Sequence, residues 1–393
     1  MNYDFSKGAL NIDCGAIEDL MKAAADPNII SFGGGMPDGS LFPADQLQAV
    51  FDAVLHEESA IALQYGSAQG YKPLREKIAE RMQKVGINCD ADMILIVHGG
   101  QQGIDMAAKT FLNPGDKIIC ESPMYLGAIT CFAPYLPQYL TVSADAEGMR
   151  MDELEQVLAA NPDTKLIYTV TEFQNPTGVS MSAERRKRLV ELATQYGVMI
   201  IEDNPYREIR YEGEPLSSLK CFDTEGVVIH IGSFSKVLSP GMRMAWMVAQ
   251  PEVLAKLLDC KTACDTQSNQ LIQMVVYRYL RDYDLDAHIA KLRQVYKKKK
   301  DIMIACMKKY FPAAIRYTNP QGGLFIWLEL PEGVDSVLVL QKALQQSVAY
   351  VPGVAFYVHG ENVNHARLNY SMSTEAQIEE GMRRLGKVLS EFC

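Results

Sequence analysis

From residue 93 onward, short apolar runs alternate with longer amphipathic ones. The runs at 93–97, 117–120, 139–142, 166–170, 198–201, 227–231 and 244–248 are rich in aliphatic and β-branched side chains, the pattern of strands buried on both faces. Between many of them lie stretches with helical spacing, at 101–111, 151–160 and 183–196. That alternation predicts an α/β fold with a mostly parallel seven-stranded sheet covered by helices. Residues 45–58 and 73–85 read as helices ahead of the sheet, and Ile17, Leu20, Met21 and Ala24 share one face of a short N-terminal helix. After Asp284 the texture changes. One long helix is expected over 287–310, strands and turns over 319–330 and 349–356, and a closing helix over 375–392. This predicts a smaller α+β domain at 286–393, a large domain at 46–285, and an arm at 1–45 that is partly shared with the small domain. The run Lys297–Lys300 reads as a solvated helix face.

Composition narrows the function. A chain of 393 residues suits two domains, and its net charge of −10 argues against nucleic-acid binding, which needs a basic face. Nine cysteines, odd in number and without a C-x-x-C pair, suggest neither a disulfide framework nor a zinc site or other metal centre. Cys260 and Cys264, one helical turn apart, read as buried packing. There is no basic segment followed by an apolar core at the start, and no apolar run near the roughly 18 residues of a membrane span. No membrane association is expected, and the cytoplasm is the expected location.

Ligands of parallel sheets bind beyond the carboxyl ends of the strands, so the residues after each run carry the chemistry. The run at 227–231 ends in Gly232, then Ser233, Phe234 and Ser235 deliver Lys236; Pro240, Gly241 and Arg243 follow before the next run. A lysine held between two buried strands is poorly solvated, hence more readily neutral and nucleophilic. Arg243 offers forked donors suited to a dianionic phosphate. An amine for a Schiff base beside a phosphate clamp is what pyridoxal 5'-phosphate (PLP) needs, although an ordinary surface turn fits the same flanks. After residue 97, Gly99, Gly100 and Gln101 open a helix whose N-terminus favours an anion. After residue 120 comes Tyr125, a ring for stacking on a flat cofactor or an ordinary buried tyrosine. After residue 170 comes the turn Asn175-Pro176-Thr177-Gly178. After residue 201 come Asp203 and Tyr206. A carboxylate at the end of a buried strand needs a partner, such as a protonated pyridine nitrogen. Gly33, Gly34 and Gly35 permit close backbone approach or form a plain loop. Arg367 suits an α-carboxylate or an exposed surface.

Taken together, S-F-S-K-x-x-x-x-G-x-R at 233–243, I-x-D-x-P-Y at 201–206, N-P-x-G at 175–178 and P-x-G-G-x-F-x-W at 320–327 resemble the fold-type I PLP-dependent aminotransferases of the class I/II group. The similarity runs from Gly33 to Ser371 and is nearest the subgroup of 2-aminoadipate and kynurenine aminotransferases. It implies the PLP fold type I large domain, with Lys236 bonded to the cofactor and moving the proton, and Asp203 at the ring nitrogen. Tyr206 and Asn175 take the phenolic oxygen, and Tyr125 stacks on the ring. The phosphate falls to Gly100, Gln101, Ser233, Ser235 and Arg243, with Gly100 standing where the family often has a serine. The substrate carboxylate falls to Arg367, with Gly35 and Asn175 beside it. Tyr65 would reach a partner's cofactor phosphate, which implies a homodimer. The implied reaction moves an amino group from an L-amino acid to a 2-oxo acid, 2-oxoglutarate or pyruvate. The same fold and lysine also serve β-lyases, decarboxylases and racemases. Sensor domains of some transcription regulators share them too, but carry a DNA-binding domain ahead; about 30 residues precede the glycine run here. Glu18 aligns where the subgroup often has an arginine, which would disfavour acidic substrates; a solvated glutamate suits the position as well.

Overall fold

The computed structural model describes residues 3–13, 15, 26 and 28–393. Strand β1 (Ile30–Ser31) pairs with residues far down the chain, and the next eight strands build the central sheet. They are β2 (Ile94–Val97), β3 (Lys117–Ser122), β4 (Gln138–Asp145), β5 (Gly148–Met149), β6 (Leu166–Thr169), β7 (Met199–Asp203), β8 (Val228–Ser233) and β9 (Ala245–Val248), in the spatial order β2-β9-β8-β7-β6-β3-β4-β5. Strands β4, β3, β6, β7 and β8 are mutually parallel. Strand β9 runs antiparallel between β8 and β2. Only residues 234–244 join β8 to β9, too few for a crossover helix, so the chain returns in the opposite direction.

The sheet thus has eight strands rather than the seven read from the sequence. The extra one, β5, is a two-residue edge strand opening on Gly148 at φ +91°, too short to leave a periodic pattern. Alternation divides the sheet between two cores. Ile118, Cys120, Tyr168, Ile201 and Ile231 face one, while Ile119, Ile167, Ile200 and Val228 face the other, with Leu154, Leu158, Leu189 and Leu192 from the covering helices. The helices Met151–Ala160 and Ala183–Tyr196 lie where the pattern puts them. Ser182 caps the second by accepting from Arg185 N–H, and Gly197 closes it at φ +67°. Two further helices, Pro251–Asp265 and Gln270–Asp282, were not read from the sequence. Their start signals are present: Pro251 sits in the first turn, and the Asn269 side chain accepts from Ile272 N–H.

Four strands form a second, antiparallel sheet in the order β10-β11-β14-β13: β10 (Arg316–Tyr317), β11 (Phe325–Glu329), β13 (Val351–Pro352) and β14 (His365–Asn369). Strand β12 (Val348–Ala349) pairs in parallel with β1, and Asn369 N–H donates to Phe32 O at 2.7 Å. These contacts hold Gly33–Gly35 against the end of β14.

The lysine run on the helix Leu285–Tyr310 is not a uniform solvated face. Lys299 and Lys300 are buried, Lys299 donating to Asp38 Oδ2 (2.6 Å) and Ser371 O (2.7 Å), and Lys300 pairing with Glu212. Four consecutive helical residues span all sides of a helix, so a charge run must turn some members inward. Cys264 likewise is exposed and Cys260 half-buried, not the packed pair expected from their spacing. No helix among the described residues is long and apolar enough to cross a membrane.

Candidate active site

Polar residues terminate the apolar runs, but the ladders continue through them: Asp203 is the last residue of β7 and Ser233 the last of β8. The two strands pair in register, Asp203 opposite Ile231, so Asp203 and the 233–236 turn leave the sheet side by side. Together they floor a cavity of about 450 Å³, into which Lys236 projects.

Lys236 Nζ donates to Gly35 O at 2.7 Å and lies 5.8 Å from the Tyr206 ring centroid. Burial, then the cationic Arg367 and Arg243, bring its amine down to about 8, with Asp203 pulling the other way. Near neutral pH a usable fraction is unprotonated. Asp203 is buried and, among the described residues, receives one hydrogen bond, from Tyr168 Oη to Oδ2 at 2.9 Å. Burial raises its carboxyl to about 6 against that donation.

One wall is an anion cradle. The helix Gly99–Phe111 points its N-terminus at the cavity, and His98, at its cap position, makes no side-chain cap bond. Gly100 and Gln101 line the space, but the Gln101 side chain is committed to Gly127 O (2.8 Å), so its backbone N–H is what remains for a ligand. Ser233 Oγ donates to Ser235 Oγ at 2.9 Å and both face the cavity. Arg243, at φ +50°, lies against Gly99: a Cβ built on Gly99 would stand 2.2 Å from its Nη2. Gly99 itself has φ +78°. No side chain fits at 99 while the guanidinium keeps its place.

The opposite wall carries Arg367 on β14. Its Nη1 donates to Asn175 Oδ1 (2.8 Å) and its Nη2 to Gly33 O (2.6 Å), while the plane lies 4.4 Å from the Phe325 ring centroid. Burial lowers it to about 10, still charged at neutral pH. Its Nε is buried and, among the described residues, has no hydrogen-bond partner. Tyr206 is buried edge-on to Phe325 (5.8 Å), and burial pushes its hydroxyl well up; Tyr125 is pushed up to about 12 by the same cause.

The structure therefore gathers Gly35, Gly100, Gln101, Tyr125, Asn175 and Asp203 with Tyr206, Ser233, Ser235, Lys236, Arg243 and Arg367 around one cavity. Tyr65 is not among its walls; it lies in the turn before residue 72 with 80% of its surface exposed. Glu18 and the amphipathic face of Ile17, Leu20, Met21 and Ala24 lie outside the described residues.

Several contributors were not read from the sequence. Tyr168 stands one alternation before the end of a buried strand, and a buried phenol needing a partner was the available signal. Glu121 is buried, accepting from Thr169 Oγ1 (2.6 Å) and from Gln174 Nε2 (3.2 Å), which also donates to Pro123 O (2.8 Å). It ties the turn bearing Tyr125 to the turn bearing Asn175. Glu172 faces Arg186, Arg207 and Arg210 at 3.3, 3.4 and 3.1 Å and joins the Asn175 turn to the segment after Tyr206. These are long-range meetings with no local motif.

The donor set fits pyridoxal 5'-phosphate: a low-pKa amine, a buried carboxylate with a single donor, and a cradle of helix N-terminus, hydroxyls and guanidinium. A family model described as "Aminotransferase class I and II" matches residues 17–385. An aromatic-amino-acid aminotransferase of Thermococcus litoralis is 40% identical over 98% of this chain and 94% of its own length. The crystal structure of a kynurenine aminotransferase from Pyrococcus horikoshii superposes with a TM-score of 0.95 at 39% identity, covering 99% of this chain and 97% of that one. An α-aminoadipate aminotransferase of Thermus thermophilus, solved with N-(5'-phosphopyridoxyl)-L-leucine, gives a TM-score of 0.91 at 38% identity, covering 98% and 97%.

Proposed function

Since this chain belongs to the class I and II aminotransferases and takes pyridoxal 5'-phosphate as its cofactor, we propose that it moves an amino group from an L-amino acid to 2-oxoglutarate or pyruvate. The observation that carries this reading is Lys236 Nζ, an amine brought to about 8 in a cavity it shares with a buried carboxylate and two guanidiniums. When bound, the cofactor supplies an aldehyde for covalent attachment and a ring that delocalises the electron pair left at the substrate Cα.

The chain's own residues do the rest. Lys236 Nζ takes the Cα proton as base and later delivers one as acid. Asp203 holds the proton on the ring nitrogen. Tyr206 and Asn175 serve the phenolic oxygen, and Tyr125 packs on the ring. Ser233, Ser235, Arg243 and the backbone at Gly100 and Gln101 hold the phosphate. Arg367 receives the substrate carboxylate beside Gly35. With the anions on Arg243 and Arg367, the susceptible Cα is left near Lys236.

Tyr65 is assigned to a partner's site in a homodimer; the exposed Ile61 and Leu63 beside it suit an interface. Residues 46–285 are assigned to the large domain and 286–393 to the smaller one, with 1–45 an arm that shares in part in the smaller domain. The eight described cysteines are free, in keeping with a cytoplasmic enzyme. Glu18 is assigned a part in rejecting acidic donors.

Holoenzyme incubated with 2-oxoglutarate and lysine or leucine should form glutamate, and with 2-aminoadipate should form it more slowly. Loss of the amino acid with release of ammonia or carbon dioxide and no glutamate would replace transfer by lyase or decarboxylase chemistry. A clear preference for 2-aminoadipate would remove the role given to Glu18.

A further inference from the structure

Among the described residues Asp203 is the one carboxylate lining the cavity, and its two oxygens are not equivalent. Oδ2 accepts from Tyr168 Oη at 2.9 Å. Oδ1 faces the cavity side, 3.7 Å from where a Cβ on Gly100 would stand. Tyr168 lies on the neighbouring strand β6, where it pairs with Ile201, so Asp203 is its same-face diagonal neighbour two residues on. The phenol is 1% exposed and its ring meets Phe132 edge-on at 5.7 Å.

We propose that Tyr168 is a positioning residue for the reaction: its hydroxyl holds one oxygen of Asp203 so that the other is presented, ionised, to the cofactor's ring nitrogen. The proposal rests on the assignment of Asp203 to that nitrogen. A neutral donor on a buried carboxylate favours the charged form and fixes its rotamer without neutralising it. The other titratable groups whose charge acts on Asp203 are Tyr125, Cys131, Tyr206 and Lys236, with His230 on the opposite face of the sheet, paired with Glu202. Among the described residues, Tyr168 is the one whose side chain donates to it.

The experiment compares wild type, Tyr168→Phe and Asp203→Asn, each as apoprotein titrated with PLP and with 1-deaza-PLP, which lacks the ring nitrogen. Tyr168→Phe keeps the ring against Phe132 and removes the donor. With PLP its equilibrium affinity and kcat should each fall about tenfold, and the acid limb of kcat should move up by about one pH unit, since Asp203 then protonates more easily. With 1-deaza-PLP the variant and wild type should bind alike. Equal losses with both cofactors, or no loss with PLP, overturns the proposal. An Asp203→Asn variant that binds PLP and turns over like wild type overturns the assignment of Asp203 as well; a crippled Asp203→Asn beside an unaffected Tyr168→Phe sinks the role of Tyr168 alone. Should Tyr168→Phe not fold, 3-fluorotyrosine placed at 168 keeps the shape and strengthens the donor. The acid limb then moves down, and an unmoved limb refutes the proposal.

Discussion

Replacing Gly99 by alanine separates cofactor affinity from stability. The added Cβ would stand 2.2 Å from Arg243 Nη2, 2.6 Å from Cζ and 3.0 Å from Nη1, against an ordinary contact of about 3.5 Å. The guanidinium, at the end of a flexible chain, must retreat by more than about 1 Å, beyond good hydrogen-bond reach of the phosphate. A charge-assisted hydrogen bond contributes about 1.5–3 kcal/mol, so the PLP dissociation constant should rise roughly 10- to 100-fold. Holding alanine at φ +78° costs the fold about 1 kcal/mol more, which appears in the apoprotein as well. The assay is a fluorescence titration of apoprotein with PLP beside a urea unfolding curve of the same apoprotein. A dissociation constant within threefold of wild type, with the unfolding curve shifted as expected, would refute the reading of Arg243 as a phosphate clamp.

Three other substitutions test the remaining parts of the site. Lys236→Ala should abolish the visible absorbance of the lysine-bound cofactor and lower turnover by about 10⁴-fold or more, measured by spectrum and single-turnover kinetics. Glu121, buried, has its carboxyl raised from 4.5 to about 7, so its contribution to stability is full below about pH 4.5 and lost as pH climbs through 7. That loss is about 3 kcal/mol; Glu121→Gln should flatten it, seen in apoprotein urea midpoints between pH 5 and 8. Glu172→Gln leaves Arg186, Arg207 and Arg210 around a neutral amide and should destabilise the fold by about 3–5 kcal/mol; a urea midpoint unchanged at pH 7 would contradict that.

What the sequence disclosed follows from where its signals are local. The apolar runs mark seven of the eight central strands; in β2, β6 and β8 burial on both faces leaves an uninterrupted apolar stretch, while the half-exposed β4 is marked by its short run at 139–142 alone. Lys236, Asp203 and Asn175 stand just after such runs, and a parallel sheet puts its chemistry there. Arg367 was legible by motif alone, since its strand belongs to another sheet and its partners Gly33 and Asn175 are 334 and 192 residues away. Tyr168 was hidden for a different reason. Inside a strand its ring reads as core, and the one polar atom that matters meets a residue 35 positions on. Lys299 and Lys300 misled because a charge run carries no mark of which members turn inward.

The two-residue ladder between β1 and β12 joins positions 30 and 348, and Arg367 lies later still. During synthesis the substrate-facing wall therefore has no support until nearly the whole polypeptide has left the ribosome. The central sheet, complete by residue 248, can assemble earlier. A nascent chain halted before residue 348 would carry Lys236 and Arg243 beside the central sheet while lacking both Arg367 and the ladder that holds Gly35 O against the Lys236 amine.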